Sequence, residues 1–167
     1  ALAAAAEAAR AAEQAAAAAN PAGADLAAVG EATLRSLPGN EGVRLAWNHA
    51  AIGNHLGGVY LDRGTEIMIN GRRLATTPER TASVVEHEMG HIYQARIMAV
   101  NAPALGGWNA SYRAMKSRLD AVFAGNGLEK SADCIALQFG ATWVAYNSEC
   151  GGERQGAVDA LLAGRMP

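Results

Sequence analysis

No stretch of this 167-residue chain reaches the run of about 18 apolar residues that a membrane helix needs, so a bilayer span is not expected. There is no internal repeat at solenoid periods, which excludes a stacked-repeat architecture. Charge of one sign is also missing. Fourteen Lys and Arg stand against sixteen Asp and Glu, a formal net charge of −2 with a pI near 6.1. Such a chain has no basic footprint for nucleic acid. No nucleophilic Ser or Cys motif and no phosphate-cradling Gly loop is present. There are only two cysteines, Cys134 and Cys150. The Ala-rich opening, Ala1 to Ala19, lacks the basic start and strong apolar centre of a signal peptide. Glu7, Arg10 and Glu13 are spaced along it as on a solvated helix face, and Asn20-Pro21 ends it. It reads as an N-terminal packing or surface helix, with a propeptide or partner-binding segment as the alternative.

What the chain does have is His87-Glu88-Met89-Gly90-His91, an HExxH zinc-hydrolase signature. On a helix, residues four apart lie on one face, so both imidazoles can hold one Zn²⁺ from the same side. Glu88 stands beside that face, where it can polarise a zinc-bound water without being a ligand. The flanks favour a helix: Thr76 or Thr77 as the cap, Pro78 in the first turn, Glu79 at the positive end of the dipole. Val84, His87, Glu88, His91, Ala95 and Met98 form one stripe, and Val85, Met89 and Ile92 form a second. Such a helix is wrapped by the protein on two sides. Gly90 costs about 1 kcal/mol in a helix interior relative to Ala, which suggests that another backbone or a substrate comes close.

Two histidines and a water leave a tetrahedral zinc one protein ligand short. The metzincin pattern would require Gly at position 94 and His at position 97, whereas the chain has Gln94 and Ile97. Downstream, Leu128, Ala132, Ile135, Phe139 and Trp143 recur at helical intervals and mark a second buried helix. Glu129 and Asp133 lie one turn apart on its flank. Burying two carboxylates costs several kcal/mol each unless something pairs them, and a zinc ion with its histidines would do so. Glu129 is therefore expected as the third ligand. Asp133 is expected to accept a hydrogen bond from the outer nitrogen of a ligating histidine.

His87-Glu88-x-Gly90-His91-x-x-Gln94 followed by Glu129-x-x-Ala132-Asp133-Cys134 resembles the gluzincin metallopeptidases, in particular the bacterial predicted neutral zinc metallopeptidases with HExGHxxQ and ExxADC helices. The resemblance covers roughly positions 78–145 and rests on motifs. It implies zinc on His87, His91 and Glu129, with Glu88 as general base. The ExxAD element is also similar to that of integral-membrane gluzincins, whose spanning helices this chain lacks.

Around these helices, Val43 to Trp47, Gly58 to Leu61 and Thr65 to Asn70 read as short strands, with a turn at Asp62-Arg63-Gly64. Glu66, Met68 and Asn70 alternate with Ile67 and Ile69, as in a strand with one buried face. A strand just before the HExxH helix resembles the peptidase arrangement in which a sheet edge binds substrate backbone; an ordinary sheet edge is the alternative. Asn101 to Trp108 reads as a loop, Asn109 to Ala124 as a helix, and Gly152 to Gly164 as a last one. Other polar candidates are His49 and His55 near the site, and Tyr112, Tyr146 and Arg154 as oxyanion donors. Cys134 and Cys150 can bridge, closing a loop of about 16 residues for roughly 3 kcal/mol; alternatively, Cys134 is a small buried residue.

The sequence thus predicts an α+β, helix-rich single domain over 1–167, zincin-like, with a small sheet before the HExxH helix. Its expected function is zinc-dependent hydrolysis, first of all of peptide bonds, with a peptide or protein as partner, no nucleic acid and the oligomeric state open. An amidase acting on a non-protein amide, or a non-catalytic metal-stabilised binding protein, are the alternatives. The cysteines and a start at Ala1 rather than Met point to a secreted or cell-envelope protein, with a cytoplasmic one left open.

Overall fold

A computed structural model of the chain describes residues 25–167. The helix expected at Ala1 to Ala19 lies outside the described residues. Asp25 caps the first described helix, α1 (Leu26–Ser36), its carboxylate accepting from the Ala27 and Ala28 amides. Strand β1 (Arg44–Trp47), a 3₁₀ turn (Ala50–Ile52), β2 (Gly57–Val59) and β3 (Glu66–Ile69) follow. The strands pair in the order β1-β3-β2. β1 runs parallel to β3 with Leu45 opposite Ile67, and β2 runs antiparallel with Gly58 opposite Met68. The α+β, helix-rich class is as expected, and each strand lies within two residues of its predicted span.

Burial in β3 differs from the alternation read from the sequence. Ile67, Met68, Ile69 and Asn70 are all buried, because β3 is the central strand and is covered on both faces. Asn70 then caps a short helix, α2 (Gly71–Leu74), accepting from the Arg73 amide and donating to the Gly53 and His55 carbonyls.

The long helix α3 (Thr81–Leu105) carries the HExxH residues. Neither Thr76 nor Thr77 caps it. Pro78–Arg80 forms a 3₁₀ turn first, Thr77 makes no side-chain cap bond, and the Thr76 hydroxyl donates to the Arg73 carbonyl. At the other end α3 runs through Pro103 to Leu105, so the expected loop shrinks to Gly106-Gly107. Pro103 is two residues from the helix end, where losing one backbone donor and one carbonyl bond is tolerated. Buried residues occur on every side of α3, as in a helix enclosed by the protein.

Helices α4 (Trp108–Phe123), α5 (Gly127–Phe139) and α6 (Glu153–Leu162) pack against α3 and one another. α4 turns Met115, Leu119 and Phe123 inward, and all three are fully buried. These side chains, with Ile67, Met89, Ile92, Met98, Ile135 and Leu161, form one apolar core. Trp143 falls beyond α5, in the segment leading to α6. Among the described residues, no helix is long and apolar enough to cross a membrane.

Candidate metal centre

The contact between α3 and α5 positions the site. Gly90 faces Ala132, and a Cβ on the glycine would stand 2.9 Å from the Ala132 Cα and 3.1 Å from its Cβ. Two small residues at the crossing bring the backbones together, the close approach that a Gly in mid-helix suggested. Glu129, one turn before Ala132, is thereby carried to the histidines. Its Oε2 lies 3.3 Å from His87 Nε2 and 3.4 Å from His91 Nε2. One ligand atom from each of His87, His91 and Glu129 lies within 4.8 Å of the others, so the three can hold a metal ion.

The outer nitrogens of both histidines are engaged. Asp133 Oδ1 is 2.7 Å from His87 Nδ1, and Gln94 Oε1 is 2.9 Å from His91 Nδ1. Gln94 Nε2 donates to the Leu128 carbonyl at 2.8 Å and to Ser131 Oγ at 3.0 Å, while the Ser131 hydroxyl donates to the same carbonyl. Those bonds turn the amide so that its oxygen faces His91. Nδ1 must then carry the proton, and Nε2 is left to bind. The expected role of Asp133 falls on His87. The role of Gln94 was hidden inside the motif: its spacing three after His91 was visible, its hydrogen bond was not.

Glu88 is buried beside this cluster and lines the cavity. Its Oε2 has no hydrogen-bond partner among the described residues. Burial raises its pKa above the usual carboxylate range, and the electrostatic influence of the neighbouring His87 and His91 works against that rise. A buried, unpartnered acceptor in the cavity that the cluster lines fits a metal centre, because water at a metal would supply the missing donor. The donor set of two imidazoles and a carboxylate fits zinc, whose catalytic sites hold three protein ligands and keep a fourth position open.

Without a metal the cluster is a charged network. Burial lowers the pKa of His87, but hydrogen bonds to Asp133 and Glu129 and the charge of Glu88 outweigh it, leaving it at about 10. Burial raises Glu129, but the hydrogen bonds from His87 and His91 outweigh it, and its carboxyl is held well below the usual range.

The cluster opens into a cavity of about 390 Å³. Ile52, Val59, Leu61, Met68 and Val84 supply apolar wall, and Trp143, Ala145 and Tyr146 line it as well. β2 lines the cavity and is an edge strand. The strand immediately before α3, β3, is paired on both sides and has no free edge. Gly57 of β2 lies directly on Glu88: a Cβ there would meet Glu88 Oε1 at 2.5 Å and Val84 Cγ1 at 2.8 Å.

The other candidates separate cleanly. Tyr146 lines the cavity, its ring centroid 5.9 Å from that of His87. Tyr112 packs edge-on against Trp108, and Arg154 binds Glu149 and covers the Phe123 ring, so neither lines the cavity. His49 accepts from the Ala51 amide at the start of the 3₁₀ turn, whereas His55 lines the cavity outside the ligand cluster. Cys134 and Cys150 form a disulfide. Compared with known proteins, the chain matches no family model, no curated protein and no solved structure.

Proposed function

We propose that this protein is a zinc-dependent hydrolase of gluzincin type that cleaves peptide bonds. The observation that carries the reading is the convergence of His87, His91 and Glu129 within 4.8 Å, with the unpartnered Glu88 carboxylate beside them in an open cavity. His87, His91 and Glu129 would hold the ion. Zinc bound there supplies Lewis acidity, which makes water nucleophilic near neutral pH and polarises a carbonyl oxygen.

The chain's own groups divide the remaining work. Glu88 takes a proton from the attacking water at Oε2 and hands it to the leaving amine; a carboxylate raised by burial is closer to neutral pH and better matched to both transfers. Tyr146 donates from its phenol to the oxygen that gains charge. Burial first, then the charges of Glu129, Glu88 and Asp133, raise its pKa and keep that proton in place. The edge strand β2 favours an extended peptide over a small amide, since free strand backbone can pair with substrate backbone. The disulfide is of the kind that persists in oxidising compartments, which supports a secreted or cell-envelope location.

Metal analysis joined to a peptide-library digest tests the reading. Purified protein should hold about one zinc per chain, cleave peptides, lose cleavage to a chelator and regain it with zinc. Zinc without turnover of any amide would make the protein a metal-stabilised binder. Absence of stoichiometric zinc would remove the centre.

A further inference from the structure

Asp133 is almost fully buried and is held from two sides. Its Oδ1 meets His87 Nδ1, while its Oδ2 accepts the backbone amides of Tyr146 at 2.5 Å and Asn147 at 2.8 Å. Those amides belong to residues 142–150, an irregular strap between α5 and α6. The strap is fastened at both ends. At its start Ser83 Oγ, one turn before His87 on α3, accepts the Thr142 amide at 3.0 Å and the Trp143 amide at 3.3 Å. At its finish Cys150 is bonded to Cys134, the residue that follows Asp133. The Asn147 side chain closes the gap between, donating to Cys134 Sγ at 3.2 Å and to the Glu149 carbonyl.

We propose that the Cys134–Cys150 disulfide is a positioning device for the metal centre: by fixing the strap it keeps two amides on Asp133, and through Asp133 it keeps His87 aimed at the ion. A buried carboxylate stays put when donors surround it and turns toward water when they leave. Partners behind a metal-binding imidazole are worth about 10- to 100-fold in metal affinity. The bond is also open to exchange, since Cys150 is only partly buried although Cys134 is enclosed. A dithiol can attack Cys150 Sγ and release the Cys134 thiolate, which takes up a proton. The second thiol of the reagent then displaces Cys150, so the dithiol is oxidised to its own disulfide as the protein gains two thiols. The strap also carries Trp143, Ala145 and Tyr146, so loosening it alters one wall of the cavity.

The proposal rests on His87, His91 and Glu129 binding zinc, and its test separates the two ideas. Zinc affinity is measured by chelator competition for four proteins: wild type, C134S/C150S, D133N, and D133N/C134S/C150S. A phosphine-reduced wild-type sample serves as a second opened form. Opening the disulfide should weaken zinc binding about tenfold or more in the wild-type background and add almost nothing once Asp133 is Asn. Unchanged affinity in both opened forms overturns the proposal. So does an equal loss in the two Asp133 backgrounds, which would mark a purely structural bond, or collapse of the helical circular-dichroism signal, which would mark a folding staple. Absence of zinc binding by the intact wild type would instead sink the metal centre itself.

Discussion

Gly90 and Ala132 touch where α3 crosses α5, close enough that a single added methyl would sit 2.9 Å from the opposing Cα. The distances from Glu129 and Asp133 to the histidines depend on this contact, because His87 and His91 flank Gly90 on one helix while Glu129 and Asp133 flank Ala132 on the other. Gly90→Ala gains helix propensity of about 1 kcal/mol. It must also push two backbones apart, at an overpacking cost of about 1–3 kcal/mol. The expected outcome is no gain in melting temperature together with weaker zinc binding, checked by thermal melts and chelator competition. A stabilised variant with unchanged affinity would remove the crossing from the account.

Glu88→Gln should keep zinc and lose turnover. Losing a general base costs about 10²–10⁴-fold, read as kcat beside metal content. Gly57→Ala offers an independent route to the same group, since its Cβ would land on Glu88 Oε1. It should lower kcat while leaving zinc in place. Loss of zinc from the Glu88 variant would show that Glu88 is a ligand.

Glu129→Ala and Asp133→Asn should differ in size. The first removes a donor atom and should abolish both tight zinc binding and activity. The second leaves the three donor atoms in place, changes the group behind His87, and should cost about 10- to 100-fold in affinity. If Glu129→Ala binds as tightly as wild type, the third ligand is elsewhere, and His55 in the cavity wall becomes the next residue to test.

Metal-free protein should lose stability as pH rises, whereas zinc-loaded protein, whose His87 holds no proton to lose, should stay level over the same range. His87 sits at about 10 in the metal-free network, so its contribution is complete below its unfolded value of about 6.5 and is lost as pH climbs toward 10. Glu129 is depressed, so its contribution is present above about 4.5 and lost in acid. Metal-free melting temperature should therefore fall between about pH 6.5 and 9.5. Zinc must displace the His87 proton, so its affinity should rise about tenfold per pH unit over the same window. Melts with and without chelator, and calorimetry in buffers of different ionisation heat, measure both slopes. A flat metal-free profile would mean that His87 is already neutral.

Much of this arrangement was legible in residues whose signal is local or costly. His87 and His91 are one helical turn apart, so a five-residue motif was enough. Glu129 and Asp133 stood out because two carboxylates on an apolar helix need partners, and Gly90 because a mid-helix glycine needs a neighbour. Other features left no side-chain trace. The amides of Tyr146 and Asn147 that hold Asp133 exist in almost any sequence, and only the path of the strap brings them there. Pro103 and the glycines after it looked like a loop because one proline near a helix end resembles a breaker until the helix length is known. The alternation in β3 looked half-exposed because Met68 and Asn70 are tolerated on either face, and strand order, which is non-local, buries them.

The hydrogen bonds behind the two imidazoles bear on when the ion arrives. In proteins that are unfolded without their metal, binding the ion and folding are one event. Here Asp133 and Gln94 already hold both rings, the helix crossing is closed by Gly90 and Ala132, and a covalent bond fastens the strap. On the proposed reading, a chain held in this way would finish folding first and take up zinc afterwards, from the side on which Glu129 stays partly exposed. The proposed centre would then give two forms of one shape, an idle one and a loaded one, with the local zinc supply setting their ratio.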